Sequence, residues 1–131
     1  MINANELRIG NYVSDYHASD SFMGKVKTLT HNRCYYGNFH SSYKDLKPIP
    51  LTEEILLKCG FKIREITVLG ATQKHYSDFR NIAIELLSDE YFMLGLHRGY
   101  ETIEPIRRVK YVHELQNLIY ALTNEELQVE L

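Results

Sequence analysis

Apolar residues near the C-terminal end of this chain recur with a helical period. Between Arg107 and Leu127, Val112, Leu115, Ile119 and Leu122 fall on one stripe, widened by Tyr111 and Leu118. That spacing predicts a helix with one buried face. Most of the preceding residues read as short strands. Leu7 to Val13 is a turn running into a strand, Gly24 to Leu29 a second strand with Val26 between lysines, and Cys34-Tyr35-Tyr36 a third. From Phe61 the period is two. Phe61 and Ile63 alternate with Lys62 and Arg64, while Ile66 and Val68 take the opposite parity, which predicts a bulge near Glu65. Gly70 to Gln73 is a turn and His75-Tyr76-Ser77 an irregular piece. Ile82 to Leu86 and Tyr91 to Leu96 flank Ser88-Asp89-Glu90 as a hairpin, with Ile82, Ile84, Leu86, Phe92, Leu94 and Leu96 in the core. A turn at Arg98-Gly99 leads to a strand at Tyr100 to Ile103, and Pro105 closes the sheet. Leu127, Val129 and Leu131 alternate as a final strand after Thr123-Asn124 stops the helix; a capping box from Thr123 to Glu126 is the alternative.

The sharpest joint is Lys47-Pro48-Ile49-Pro50, where two prolines hold the backbone extended and forbid a helix before Leu51. A short helix starts directly after it. Thr52 is placed to cap it, Glu53 and Glu54 suit its positive end, Leu51 and Leu56 suit a hydrophobic staple, and Gly60 suits a left-handed stop. The expectation is an α+β protein in two parts. Residues 1–50 form a small β unit. Residues 51–131 form the short helix, antiparallel strands, the long helix packed on that sheet, and the final strand, with one compact domain as the alternative.

In residues 1–50, a Gly with an apolar pair, a loop and then Gly-x-Val-x-x-Leu resemble the opening of small SH3-like barrels, including those of the KOW type. The likeness implies an N-terminal SH3-like β barrel. A second resemblance spans Asn5 to Val13, Pro48 to Glu54 through Gly60-Phe61, and Tyr111 to Leu118 with Ala121-Leu122-Thr123. These stretches resemble a family of small uncharacterised proteins of Bacteroides-type bacteria and their prophages and mobile elements. That resemblance implies a cytoplasmic bacterial or phage setting and carries no catalytic residue.

With 131 residues, 44% hydrophobic and 24% charged, the chain is long enough to bury one core without staples. No 18-residue apolar run occurs and the start lacks a basic segment before an apolar one, so a cytoplasmic protein with no membrane partner is expected. Cys34 and Cys59 are expected to be reduced thiols. Residues 1–50 hold six Lys/Arg against four Asp/Glu and the remainder nine against thirteen, so neither part is strongly basic.

Catalytic motifs do not emerge. His31 with Cys34 lacks the second paired half of a structural zinc site, Cys59 and His40 complete it only through an unforeseen fold, and His97 with Glu101 and Glu104, or His75 with Asp78, fits a charged loop equally well. HExxH, GxSxG and a phosphate-binding glycine loop are absent from the sequence. No cofactor or metal is expected. Two surfaces are candidates for a partner. The first combines seven of the fifteen aromatics, Tyr35 and Tyr36 among them, with Arg8, Lys25, Lys27 and Arg33: a base-stacking platform with a cationic rim, or simply the filling and covering of a small barrel. The second is the long helix. Arg107, Arg108 and Lys110 sit at its start against the macrodipole preference, compensated by Glu101 and Glu104 or by an anionic partner, and Lys110, His113, Glu114, Gln116 and Asn117 form a polar face, solvated or partner-binding. The leading expectation is a non-catalytic interaction protein that binds a bacterial or phage protein and is compatible with homo-oligomerisation. Nucleic-acid binding through the N-terminal unit is the alternative, and it requires Lys25, Lys27, Arg33 and exposed tyrosines on one face.

Overall fold

The computed structural model describes residues 2–15, 23–77, 81–86, 91–97 and 103–129. The protein is α+β, with two antiparallel sheets and one main helix. It divides into two compact units, one of residues 1–50 with 111–126 and the other of residues 51–110 with 127–131.

The first unit begins with a 3-10 turn at Ala4–Glu6, followed by β1 (Tyr12–Asp15), β2 (Gly24–Leu29), β3 (Arg33–Tyr36), β4 (Phe39–Ser42), a second 3-10 turn at Tyr43–Asp45 and β5 (Leu46–Lys47). These strands form one sheet in the order β4-β3-β2-β1-β5. Alternation decides its faces. Val13, Val26, Cys34, Tyr36 and Leu46 point inward and with Ile2 and Leu7 form a buried cluster, each large side chain worth about 1.5–3 kcal/mol of burial. Gly24 is required here, because a Cβ on it would stand 2.6 Å from Cδ2 of the Tyr36 ring that crosses it. The expected closed barrel is not found: β4 and β5 are the two ends of the ladder and do not pair with each other.

The second unit opens with α1 (Glu53–Lys58), which starts and stops as its sequence requires. Thr52 Oγ1 accepts from Ile55 N at 3.2 Å, and Gly60 takes φ 93°. Five strands follow, β6 (Lys62–Val68), β7 (Ala71–Ser77), β8 (Ile82–Leu86), β9 (Phe92–His97) and β10 (Ile103–Val109), paired in sequence order. The hairpin of β8 and β9 has Ile84 opposite Leu94, both fully buried. Its connection, Ser88 to Glu90, and the Arg98-Gly99 turn lie outside the described residues.

Several expectations for this unit are corrected. The parity switch near Glu65 produces no bulge, since β6 pairs with β7 in one register throughout. β6 is an edge strand whose residues Lys62 to Glu65 are all exposed, so alternation there had no core to report. The turn is at Leu69-Gly70, with φ 53° and 80°, and His75 to Ser77 belongs to β7. Leu86 is exposed and Leu96 half-buried. Pro105 does not close the sheet. It sits within β10, an edge strand that tolerates a missing N–H, and the register shifts between it and Arg107. No strand forms over 126–129, and Leu131 lies outside the described residues.

The main helix, α2, spans Val112–Thr123, shorter than the periodicity suggested, because residues up to Val109 are taken by backbone bonding to β9. It begins at Tyr111, whose N–H donates to Glu114 Oε1 at 3.0 Å, and ends at Asn124 with φ 58°. Its placement also differs from expectation, for residues 111–126 group with residues 1–50. A backbone bond from Val112 N to Ile49 O (2.9 Å) and a bridge between Pro50 and Tyr111 bring the chain back beside the point where it left.

Candidate nucleic-acid interface

The polar face of α2 is turned into its own unit. Gln116 is 1% exposed; its Nε2 donates to Gly10 O (3.0 Å) and its Oε1 accepts from Tyr12 N (2.9 Å). Asn117 Nδ2 donates to Glu6 O (2.7 Å), and its Oδ1 accepts from Asn11 Nδ2 (2.8 Å) and Arg8 Nε (3.2 Å). Asn11, fully buried, accepts from Arg8 N through Oδ1 at 2.7 Å. Arg8 also pairs with the Glu126 carboxylate and lies over the Tyr120 ring at 4.2 Å. The helix face is thus a latch that holds the 6–12 segment, satisfying backbone groups that no strand pairs.

His113 belongs to the same latch. Its ring is 1% exposed, Nε2 lies 3.4 Å from Glu6 Oε2, and Nδ1 has no hydrogen-bond partner among the described residues. Burial holds its pKa below the usual 6.5, opposed by the hydrogen bond to Glu6 and the charges of Glu114 and Glu6. His113 and Asn117, candidates for a partner surface, are therefore spent on intramolecular contacts.

Tyr36 is a second candidate placed inside. It is fully buried, its hydroxyl donates to the Asp15 carboxylate and lies 2.7 Å from Ser41 Oγ, and burial followed by the Asp15 bond pushes its pKa up to about 12.

Four candidates do share a surface. Lys25, Lys27, Arg33 and Tyr35 are all exposed, on the face of β2 and β3 opposite the buried Val26, Cys34 and Tyr36. The register adds a residue that the sequence reading left aside as a ligand of a doubtful zinc site. His40 stands directly across from Tyr35, with ring centroids 5.3 Å apart and planes tilted by 37°, and Arg33 Nη1 donates to its Nδ1 at 3.0 Å. A signal for this was present: Gly37-Asn38 between Tyr36 and Phe39 is a two-residue hairpin turn, which alone sets Tyr35 against His40. On the other side of Tyr35, β2 carries a bulge, so that the exposed Lys27 and Thr28 together occupy the place opposite it. Strands β2, β3 and β4 contain no Asp or Glu. Of the remaining aromatics, Phe39 is half-exposed but pairs with Tyr36, and Tyr16 and Phe22 lie outside the described residues.

The other cations are elsewhere. Arg107 and Arg108 are exposed neighbours on β10 of the second unit and so point to opposite faces, and Lys110 follows that strand. Arg107 and Arg108 are thus held in a strand and not at the helix start, which leaves only Lys110, just ahead of Tyr111, near the positive end of the dipole. Arg108 Cζ lies 5.1 Å over the Tyr91 ring.

Cys34 and Cys59 are both buried thiols whose pKa burial raises to about 11, each in a different unit. Among the described residues no group of three or more His, Cys, Asp or Glu side chains is arranged to hold a metal ion, and Asp78 and Glu101 lie outside them. Among the same residues no helix is long and apolar enough to cross a membrane. Compared with protein-family models, curated proteins and solved structures, the chain matches none.

Proposed function

We propose that this chain is a non-catalytic nucleic-acid-binding protein whose contact surface is the outer face of β2, β3 and β4. One observation carries the reading: Lys25, Lys27, Arg33, Tyr35 and His40 are presented together on a face whose strands hold no carboxylate. Cations neutralise phosphates and exposed rings meet bases, so this set matches the two kinds of surface a nucleic acid offers. The strand order β4-β3-β2-β1-β5, with a 3-10 turn ahead of β5, supports an SH3-like reading of the same unit. The leading expectation of a protein partner rested on missing catalytic motifs and on the resemblance, and one surface it offered, the polar face of α2, is occupied by the latch. The resemblance to proteins of Bacteroides-type bacteria and their mobile elements fits a cytoplasmic setting for such a protein.

The test is a binding titration of the intact chain with labelled single- and double-stranded oligonucleotides at several salt concentrations. Binding whose log affinity falls linearly with log salt, at about −0.7 to −0.9 per phosphate contact, supports the reading. Absence of binding to every oligonucleotide at low salt overturns it.

A further inference from the structure

We infer that the outer face of β2 to β4 takes single-stranded nucleic acid, reading it by stacking unpaired bases on Tyr35 and His40; this rests on the nucleic-acid reading above. The placement of the rings carries the step. Tyr35 lies on β3, the middle strand of the three, and is 40% exposed. Its cross-strand neighbours are His40 on one side and Thr28 on the other. At the β2 bulge Lys27 shares the place opposite Tyr35 with Thr28, so the ring is bordered on that side by a short side chain and a cation. The 37° tilt between the two rings means that neither covers the other as a stacked pair does, leaving aromatic surface for a third ring.

Arg33 organises this pair. A guanidinium nitrogen only donates, so its 3.0 Å contact requires Nδ1 of His40 to be the acceptor and places the imidazole proton on Nε2. His40 is thereby held as an oriented ring, with the Arg33 charge at its margin. Lys25 and Lys27 supply further positive charge on β2. Adjacent strands are about 4.8 Å apart, so the rings and the β2 lysines fall within about 10 Å, the span of about two nucleotides.

An intact duplex does not suit this arrangement. Its bases are stacked and paired inside, so a sheet face laid on its backbone would meet phosphates with the lysines and gain nothing from rings at its centre. An unpaired strand places bases on the rings and phosphates on the rim at once. The chemistry is shared by DNA and RNA, which differ in the 2′-hydroxyl.

The experiment uses the intact chain and fluorescein-labelled ten-nucleotide strands, oligo-dT and oligo-U, beside a ten-base-pair hairpin duplex, read by anisotropy. Wild type, Tyr35→Phe and Tyr35→Ala are compared, with circular dichroism to show that the exposed substitution leaves the fold intact. The expected result is preference for a single strand over the duplex by about tenfold or more, a loss of about tenfold for Tyr35→Ala on that strand alone, and retention by Tyr35→Phe within about threefold. The ratio of dT to U binding assigns the sugar. Equal affinity for strand and duplex, with Tyr35→Ala neutral on both, overturns this inference and leaves the general nucleic-acid reading standing. No binding to any of the three probes overturns both.

Discussion

Two polar surfaces of the first unit are built from similar residues and used in opposite ways. The helix face of His113, Gln116 and Asn117 with Arg8 looks inward, and every side-chain amide on it meets a backbone group or another amide. The face of Lys25, Lys27, Arg33, Tyr35 and His40 looks outward, and Arg33, His40 and Tyr35 form a contact cluster on it. The difference lies in what stands opposite. The 6–12 segment bonds to β2 through Gly10 N and Asn11 O, but Glu6 O, Gly10 O and Tyr12 N still need partners, and α2 supplies them from short amides of fixed reach. On the sheet face β2 and β3 each lie between two paired strands, which frees their side chains for other roles. Polar identity therefore reports less about function than the hydrogen-bond debt of the nearest backbone does.

This contrast can be broken by substitution. The largest effect is expected at the latch: Gln116→Ala removes two partly buried hydrogen bonds and leaves Gly10 O and Tyr12 N without them, for a loss of about 2–4 kcal/mol in urea denaturation. A loss under about 0.5 kcal/mol would mean that the latch does not hold the segment.

Next comes the pH response of His113. Its folded pKa lies below the unfolded value near 6.5, so the unfolded chain binds the proton more readily. Its contribution is constant above 6.5, and acidification from there toward the folded value destabilises the protein. His113→Asn is expected to flatten stability between pH 7 and 5 relative to wild type, measured by thermal melts at both values; parallel profiles would contradict the assignment.

A smaller change is expected for Glu126→Gln. The pair with Arg8 is partly solvent-exposed, at 29% and 43%, and contributes about 1 kcal/mol or less, with the loss shrinking in high salt. Least of all for stability is Lys25→Gln combined with Lys27→Gln, expected within about 0.5 kcal/mol. On the nucleic-acid reading that same pair lowers the single-strand salt slope by about 1.4. An unchanged slope would remove the two lysines from the interface.

Legibility varied with the range of the interactions involved. α1 was readable because Thr52, Glu53 and Gly60 act within one turn, and the β8–β9 hairpin because Ile82, Ile84, Phe92 and Leu94 alternate around a short connection. The edges were poorly readable. β6 and β10 have runs of exposed residues, so their hydrophobic pattern carried no phase, and Pro105 looked like a terminator where an edge strand accommodates it. β4 and β5 were missed because Phe39 to Ser42 holds one apolar residue and Leu46-Lys47 is too short to show a period. At the candidate site, Lys25, Lys27, Arg33 and Tyr35 were legible from alternation, whereas Tyr36, one position on, was placed on the surface by its chemistry and inside by its parity.

By itself the sequence determined the local devices: the capped short helix, the helix stop at Asn124, the stiff joint at Pro48-Ile49-Pro50 and the alternation that separates two faces of β2 and β3. Only tertiary structure decided where α2 belongs and what its polar face does. The bond from Val112 to Ile49 and the amide contacts from Gln116 and Asn117 to residues 6–12 join positions far apart in the chain. Their formation depends on the folded geometry of the whole unit, because hydrogen bonds of a few ångströms leave no periodic trace across that separation.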